Sequence, residues 1–125
     1  MANAVISKER RRAAEQRGRQ AEDEVARLFQ GRGYEILARR LKTGVGEIDL
    51  IVADADSLVF VEVKARGNFH DAAHALSRRQ RERLWQAASM ALACHEDWAR
   101  SVMRFDVVLI ASGDIRIIEN AFWLD

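Results

Sequence analysis

The chain has 125 residues, 49% of them hydrophobic, and a formal net charge of +1. That length supports one small domain burying about two-thirds of its unfolded surface, and no apolar run reaches the ~18 residues that span a bilayer. The charges near the N-terminus follow a short apolar stretch instead of preceding a long one, the reverse of an export signal, so a cytoplasmic location with no membrane partner is expected.

Ser7 reads as the N-cap of a helix extending to residue 30 and ended by Gly31 and Gly33. Residues 1–16 of it form a basic extension, with Lys8, Arg10, Arg11 and Arg12 and almost no apolar stripe, and are expected to fray. Residues 17–125 then make a single domain. Ala21, Val25, Leu28 and Phe29 follow the spacing of a helix face that packs on a sheet. Residues 34–39 read as a first strand and 42–46 as a turn. A hairpin follows, Gly-Glu-Ile-Asp-Leu-Ile-Val from Gly46 and Leu-Val-Phe-Val-Glu-Val-Lys ending at Lys64, around the turn Asp54-Ala55-Asp56-Ser57.

Residues 67–71 read as a loop. Ser77 and Gln80 match a capping box, opening a helix with Leu84, Trp85, Ala88, Ala91 and Leu92 on one side. Cys94, the single cysteine, stands in its apolar stretch and reads as a buried structural thiol. Residues 104–111 form a strongly apolar strand and 114–119 a closing one. A strand–helix–strand passage requires a right-handed crossover between parallel strands. The fold class is therefore α/β, a central mixed β-sheet flanked by helices.

The hairpin carries the chemistry. With Ala53 opposite Leu58, the register places Ile51 opposite Phe60, Asp49 opposite Glu62 and Glu47 opposite Lys64. Ile48, Leu50 and Val52 then lie against Val59, Val61 and Val63 on the other, apolar face. Three readings follow for the charged face. Two adjacent carboxylates suit a hard divalent cation, with the lysine stabilising charge or helping to deprotonate water at a phosphodiester. A purely structural ion-pair network leaves one lysine balancing three acids. A glycosidase pair needs wider separation for inversion and an aromatic cleft that is not evident.

Glu22, on the margin of the first helix's apolar stripe, either reaches the same site or pairs on the surface with a neighbour such as Arg19. Gln80 either reaches that end of the sheet or only closes its capping box. Basic clusters at residues 8–19 and at Arg78, Arg79, Arg81 and Arg83 suit a polyphosphate partner or a solvated helix face. His70 and His74 lack a third ligand and read as surface residues, and Trp85, Trp98 and Trp123 as core or rim anchors.

Gly46-Glu47-Ile48-Asp49-Leu50-Ile51 with Leu58-Val59-Phe60-Val61-Glu62-Val63-Lys64-Ala65-Arg66 resembles the signature of the YraN family of small bacterial proteins. Gly33-Tyr34-Glu35-Ile36, Arg104-Phe105-Asp106-Val107 and Glu119-Asn120-Ala121-Phe122 resemble its other blocks. That family is similar to the PD-(D/E)XK, or restriction-endonuclease-like, superfamily, which includes archaeal junction resolvases and tRNA-splicing endonucleases. The resemblance implies an αβββαβ core, maps the superfamily acid onto Asp49 and its E-x-K onto Glu62 and Lys64, and places the helix acid on Glu22. Ala21, Arg40, His74 and Arg79 depart from the glycine, asparagine, glutamate and lysine usual in the family.

The resulting expectation is a Mg²⁺- or Mn²⁺-dependent endonuclease acting on nucleic acid, DNA ahead of RNA. Its catalytic residues would be Glu22, Asp49, Glu62 and Lys64; the metal would lie on Asp49, Glu62 and the Val63 carbonyl. Arg39, Arg66, Arg78, Arg79 and Gln80 are candidates for nucleic-acid contact. Symmetric cutting of two strands would call for a homodimer. The alternatives are a catalytically silent nucleic-acid-binding module of the same fold, or a protein-interaction subunit using the basic helix.

Overall fold

A computed structural model describes residues 2–121; Met1 and residues 122–125, which include Phe122 and Trp123, lie outside the described residues. The first helix, α1, spans Ala2–Gly31. It begins ahead of Ser7, which therefore sits within the helix and does not cap it. No glycine or proline interrupts the run before Gly18, so nothing local stops the helix there. At ~1.5 Å per residue α1 is about 45 Å long. Its C-terminal half packs: Ala21, Val25, Ala26 and Phe29 are buried, while residues 7–17 are exposed.

Five strands lie side by side in sequence order: β1 (Glu35–Thr43), β2 (Gly46–Ala53), β3 (Ser57–Arg66), β4 (Val102–Ala111) and β5 (Asp114–Ile118). All neighbours are antiparallel except β3 and β4, whose parallel pairing is the one that the crossover required. β1 runs on past residue 39 to Thr43, with Arg40 in the left-handed region at φ +49° interrupting its alternation. The turn between β2 and β3 is held by Asp54, whose Oδ1 accepts from the Asp56 and Ser57 amides at 3.0 and 2.7 Å.

Two helices fill the crossover. The short α2 (Phe69–His74), capped by Asn68, occupies part of the segment read as loop; six residues are too few for a periodicity signal. The longer α3 spans Arg78–Cys94. Ser77 Oγ accepts from the Gln80 amide at 3.1 Å, the serine half of the capping box. A 3-10 turn, Glu96–Trp98, leads to β4.

The sheet has a core on each face. On the α1 side Val25, Ala26 and Phe29 meet Leu50, Val52, Val59, Val61 and Val108. On the α3 side Leu84, Ala87, Ala88 and Ala91 meet Ile51, Phe60, Phe105, Val107 and Leu109. This is the restriction-endonuclease-like α/β core, with helices on both faces of a mixed sheet.

Two sequence readings are corrected. Ile48 packs on the α3 side with Ile51, not with Leu50 and Val52, because the alternation breaks next to Asp49. Cys94 is exposed: it closes the last turn of α3 beyond the buried stripe. Trp85 lies at the rim, 39% exposed with its ring 5.5 Å from Phe105, so it is an anchor at the edge of the core. Among the described residues no helix is long and apolar enough to cross a membrane.

Candidate functional site

Pairing across the sheet stops unevenly. β1–β2 continues to Thr43 and Gly46, and β3–β4 continues to Arg66 and Ala111. The β2–β3 ladder ends at Leu50 and Val61. The sheet therefore opens between β2 and β3, and the opposed pairs Asp49/Glu62 and Glu47/Lys64 expected from the hairpin register do not form as rungs of the ladder. Instead Asp49 Oδ2 accepts from the Val63 amide at 2.9 Å. A side-chain oxygen replaces the lost strand carbonyl as the acceptor that a buried amide needs. Asp49 consequently remains beside β3, and Val63 is held against it.

Glu62 is 6% exposed. Its Oε1 lies 3.1 Å from Lys64 Nζ, while Oε2 is buried without a hydrogen-bond partner among the described residues. Burial, reinforced by the neighbouring Asp49 charge and opposed by Lys64, pushes the Glu62 carboxyl up to about 8. An orphaned carboxylate oxygen beside a second carboxylate is costly unless a proton or a cation joins them. The donor set fits a hard divalent cation, which takes oxygens from one or two acids and keeps several waters. Among the described residues no group of three or more His, Cys, Asp or Glu side chains is arranged to hold a metal. Backbone carbonyl and water would have to complete the shell.

Glu22 reaches the same region from α1. It lines a cavity of about 300 Å³ with Arg19, Asp23, Arg39, Arg40, Asp49 and Leu50. Burial, then the Asp49 and Glu47 charges, raise its carboxyl, and the hydrogen bond from Arg40 Nε pulls it back. Asp49 is thus the link, interacting with Glu22 on one side and Glu62 on the other.

Arg40 is a residue that sequence reasoning noted only as a departure from an asparagine. The asparagine has a physical reason: it tolerates the left-handed backbone that Arg40 adopts at φ +49°. Arg40→Asn keeps that backbone and removes the guanidinium. The Glu22 carboxyl is expected to titrate higher in this variant, as carboxyl-resolved NMR would record; an unchanged Glu22 titration would contradict the pairing.

The arginines nominated by sequence separate into two layers. Arg39 pairs with Asp23 at 2.9 Å, both about half exposed, an arrangement worth little to stability and easily exchanged. Arg66 is exposed at the end of β3 and lines a second cavity beside Glu22. Arg78 and Arg79 open α3 on the other face; the first pairs loosely with Glu82 at 3.5 Å and the second lines a separate cavity with Val45. Gln80 is half-buried in that same first turn. The structure thus brings Arg39 and Arg66 to cavities bordered by Glu22, and places Arg78, Arg79 and Gln80 apart from those cavities. His70 and His74 are exposed on one face of α2, their rings 4.2 Å apart, with no third ligand among the described residues.

A second polar cluster was missed. Asp106, 1% exposed, accepts from Arg104 Nε at 3.0 Å, Arg104 Nη2 at 3.3 Å and the Asn120 amide at 2.9 Å. Arg104 Nη2 also donates to the Tyr34 hydroxyl and pairs with Glu119. The signal was available: two charges inside an otherwise apolar strand, at residues 104 and 106.

Comparison with known proteins places these residues in a wider set. The model of the uncharacterised protein family UPF0102 matches residues 21–110. A UPF0102 protein of Acidiphilium cryptum is 50% identical over 92% of this chain and 90% of its own length. One of Azorhizobium caulinodans is 42% identical over 95% and 92%, respectively. One of Rhodopseudomonas palustris is 53% identical over 79% and 76%. The matched span takes in Glu22, Asp49, Glu62 and Lys64, as well as Arg104 and Asp106.

Proposed function

The chain belongs to the uncharacterised protein family UPF0102, the YraN family that its hairpin motif resembles, and from that membership and the carboxylate geometry we propose a Mg²⁺- or Mn²⁺-dependent nuclease that hydrolyses phosphodiester bonds in DNA or structured nucleic acid. One observation carries the reading: the buried Glu62 Oε2, without a hydrogen-bond partner among the described residues, beside Asp49 where the sheet opens, with Lys64 on the other oxygen.

Asp49 and Glu62 would hold the cation, with the Val63 carbonyl as a further ligand. A bound cation of this class polarises a phosphoryl oxygen and lowers the pKa of its water. Lys64, held 3.1 Å from Glu62, supplies a positive charge for the phosphoryl group and orients the attacking water. Glu22 extends the acidic edge, and its ion pair with Arg40 fixes where its carboxylate lies. Arg39 and Arg66, on the borders of the adjacent cavities, supply contacts to flanking phosphates.

The test is cleavage of branched, nicked and single-stranded substrates on addition of Mg²⁺ or Mn²⁺. Asp49→Ala is expected to lower the rate at least about a hundredfold, the scale of losing electrostatic stabilisation at a reacting centre. Cleavage that survives unchanged in that variant overturns the assignment. A nucleic-acid-binding module that does not cut is favoured by one observation, the engagement of Glu22 by Arg40 without a third acid joining Asp49 and Glu62. Salt-sensitive binding without metal-dependent turnover would select it.

A further inference from the structure

The face of α1 that packs on the sheet through Ala21 continues toward the N-terminus as Gly18 and Ala14, beyond the point where β3 ends at Arg66. A cavity of about 450 Å³ is left there, with Ala14, Gly18 and Ala21 above and Val63, Ala65 and Gly67 below. A Cβ built on Gly18 would meet no atom within 4 Å, so the space under the helix is real. Arg17 and Arg66 flank it, one on the helix and one on the strand. Arg17 makes no ion pair among the described residues, and Arg66 Nη1 donates to its neighbour's carbonyl, Ala65 O, at 2.7 Å. Glu22 borders both this cavity and the one containing Asp49, so the two adjoin at that residue.

The chemistry of the walls selects an occupant. Two guanidiniums without acidic partners among the described residues, with small uncharged side chains between them and the Glu22 carboxylate at the edge toward Asp49, match two phosphates separated by a sugar and a base. The volume falls in the range that holds one compact organic ligand. α1 passes over the end of β3 and leaves about 450 Å³ between them, a volume on the scale of one nucleotide and not of a stacked base pair with two backbones.

We propose that this cavity is a subsite for a single unpaired nucleotide next to the reacting phosphodiester, with Arg17 and Arg66 each contacting one of its phosphates. The position of the reacting phosphodiester rests on the nuclease reading above, and the proposal narrows the substrate class to nucleic acid with a single-stranded segment at the cleavage point.

The experiment is fluorescence anisotropy with a labelled oligothymidylate and a blunt duplex of equal length, in chelator and across a salt series. Without divalent cation the readout is independent of cleavage, so failure of the nuclease reading and failure of this one are separable. The single strand is expected to bind at least about tenfold tighter than the duplex. Gly18→Leu fills the cavity while raising helix propensity, and is expected to weaken single-strand binding about tenfold with thermal stability maintained. Arg17→Ala and Arg66→Ala should each lower the salt slope for the single strand by about 0.7. Equal affinity for both nucleic acids, or single-strand binding unaffected by Gly18→Leu and by both arginine variants, overturns the proposal.

Discussion

Glu62→Gln is expected to stabilise the metal-free protein above pH 8 by up to about 5 kcal/mol while lowering Mg²⁺-dependent cleavage more than about a hundredfold. The carboxyl is raised from 4.5 to about 8, first by burial and next by the Asp49 charge. Below 4.5 the carboxyl is protonated in both folded and unfolded chains, and the substitution changes little. Between 4.5 and about 8 the folded protein holds a proton that the unfolded chain has released, so stability falls as pH rises through this window. Above it both states are ionised, and the full cost of a buried charge beside Asp49 is present. The amide removes that cost at every pH.

Urea unfolding in chelator from pH 4 to pH 9 measures the effect. A wild-type stability flat across that range, equal to the variant's, would contradict the buried-pair description. Adding Mg²⁺ is expected to recover stability in the wild type above pH 8, by about 2.7 kcal/mol at a hundredfold excess over Kd, and not in the variant.

Asp106→Ala is the second large effect, and it concerns the fold. The carboxylate satisfies two guanidinium nitrogens of Arg104 and the Asn120 amide, and it is 1% exposed. Removing one partner of a buried ion pair leaves the other charge uncompensated, at a cost of about 3–5 kcal/mol. Arg104 retains Tyr34 and Glu119, which places the expectation near the lower end of that range. Denaturant unfolding should show the loss at neutral pH. A change below about 1 kcal/mol would mean that the cluster is not a structural clamp. Because Asn120 follows β5 and adopts φ +55°, the same variant should also release the segment after β5, readable as faster amide exchange at Asn120 and Ala121.

Much of the fold was legible where a local pattern had one consistent solution. The turn at Asp54 and the pairing from Ala53–Leu58 to Leu50–Val61 followed from period-two alternation and one turn length. The parallel β3–β4 pair followed from handedness. Ser77 at the start of α3 followed from a side chain that caps its own helix. Each depends on residues close in sequence or on a rule of connection.

The misreadings share a different cause. Extending the β2–β3 register by arithmetic put Asp49 and Glu62 on a common rung, but β2 follows β1 and β3 follows β4 beyond Leu50 and Val61. Which neighbour each strand stays with is a competition across the whole sheet. Arg40 contributes from β1 and Glu22 from α1, 18 positions apart in sequence and joined by a hydrogen bond. Arg104 meets Tyr34 across 70 positions. No window along the chain contains both partners of such a contact.

The amino-acid order therefore specified the chemical inventory of this protein: two carboxylates and a lysine on adjacent strands, a third acid on the first helix, and arginines at its margins. It also specified the layers, because alternation and helical spacing are properties of short segments. The three-dimensional packing supplied what a site needs beyond inventory. It opened the sheet, turned Asp49 onto the Val63 amide, and buried Glu62 with one oxygen unpaired among the described residues. It also left a cavity under α1 with Arg17 and Arg66 in its walls. Burial and orientation set the cost of each charge, and both come from long-range contacts that local sequence does not encode.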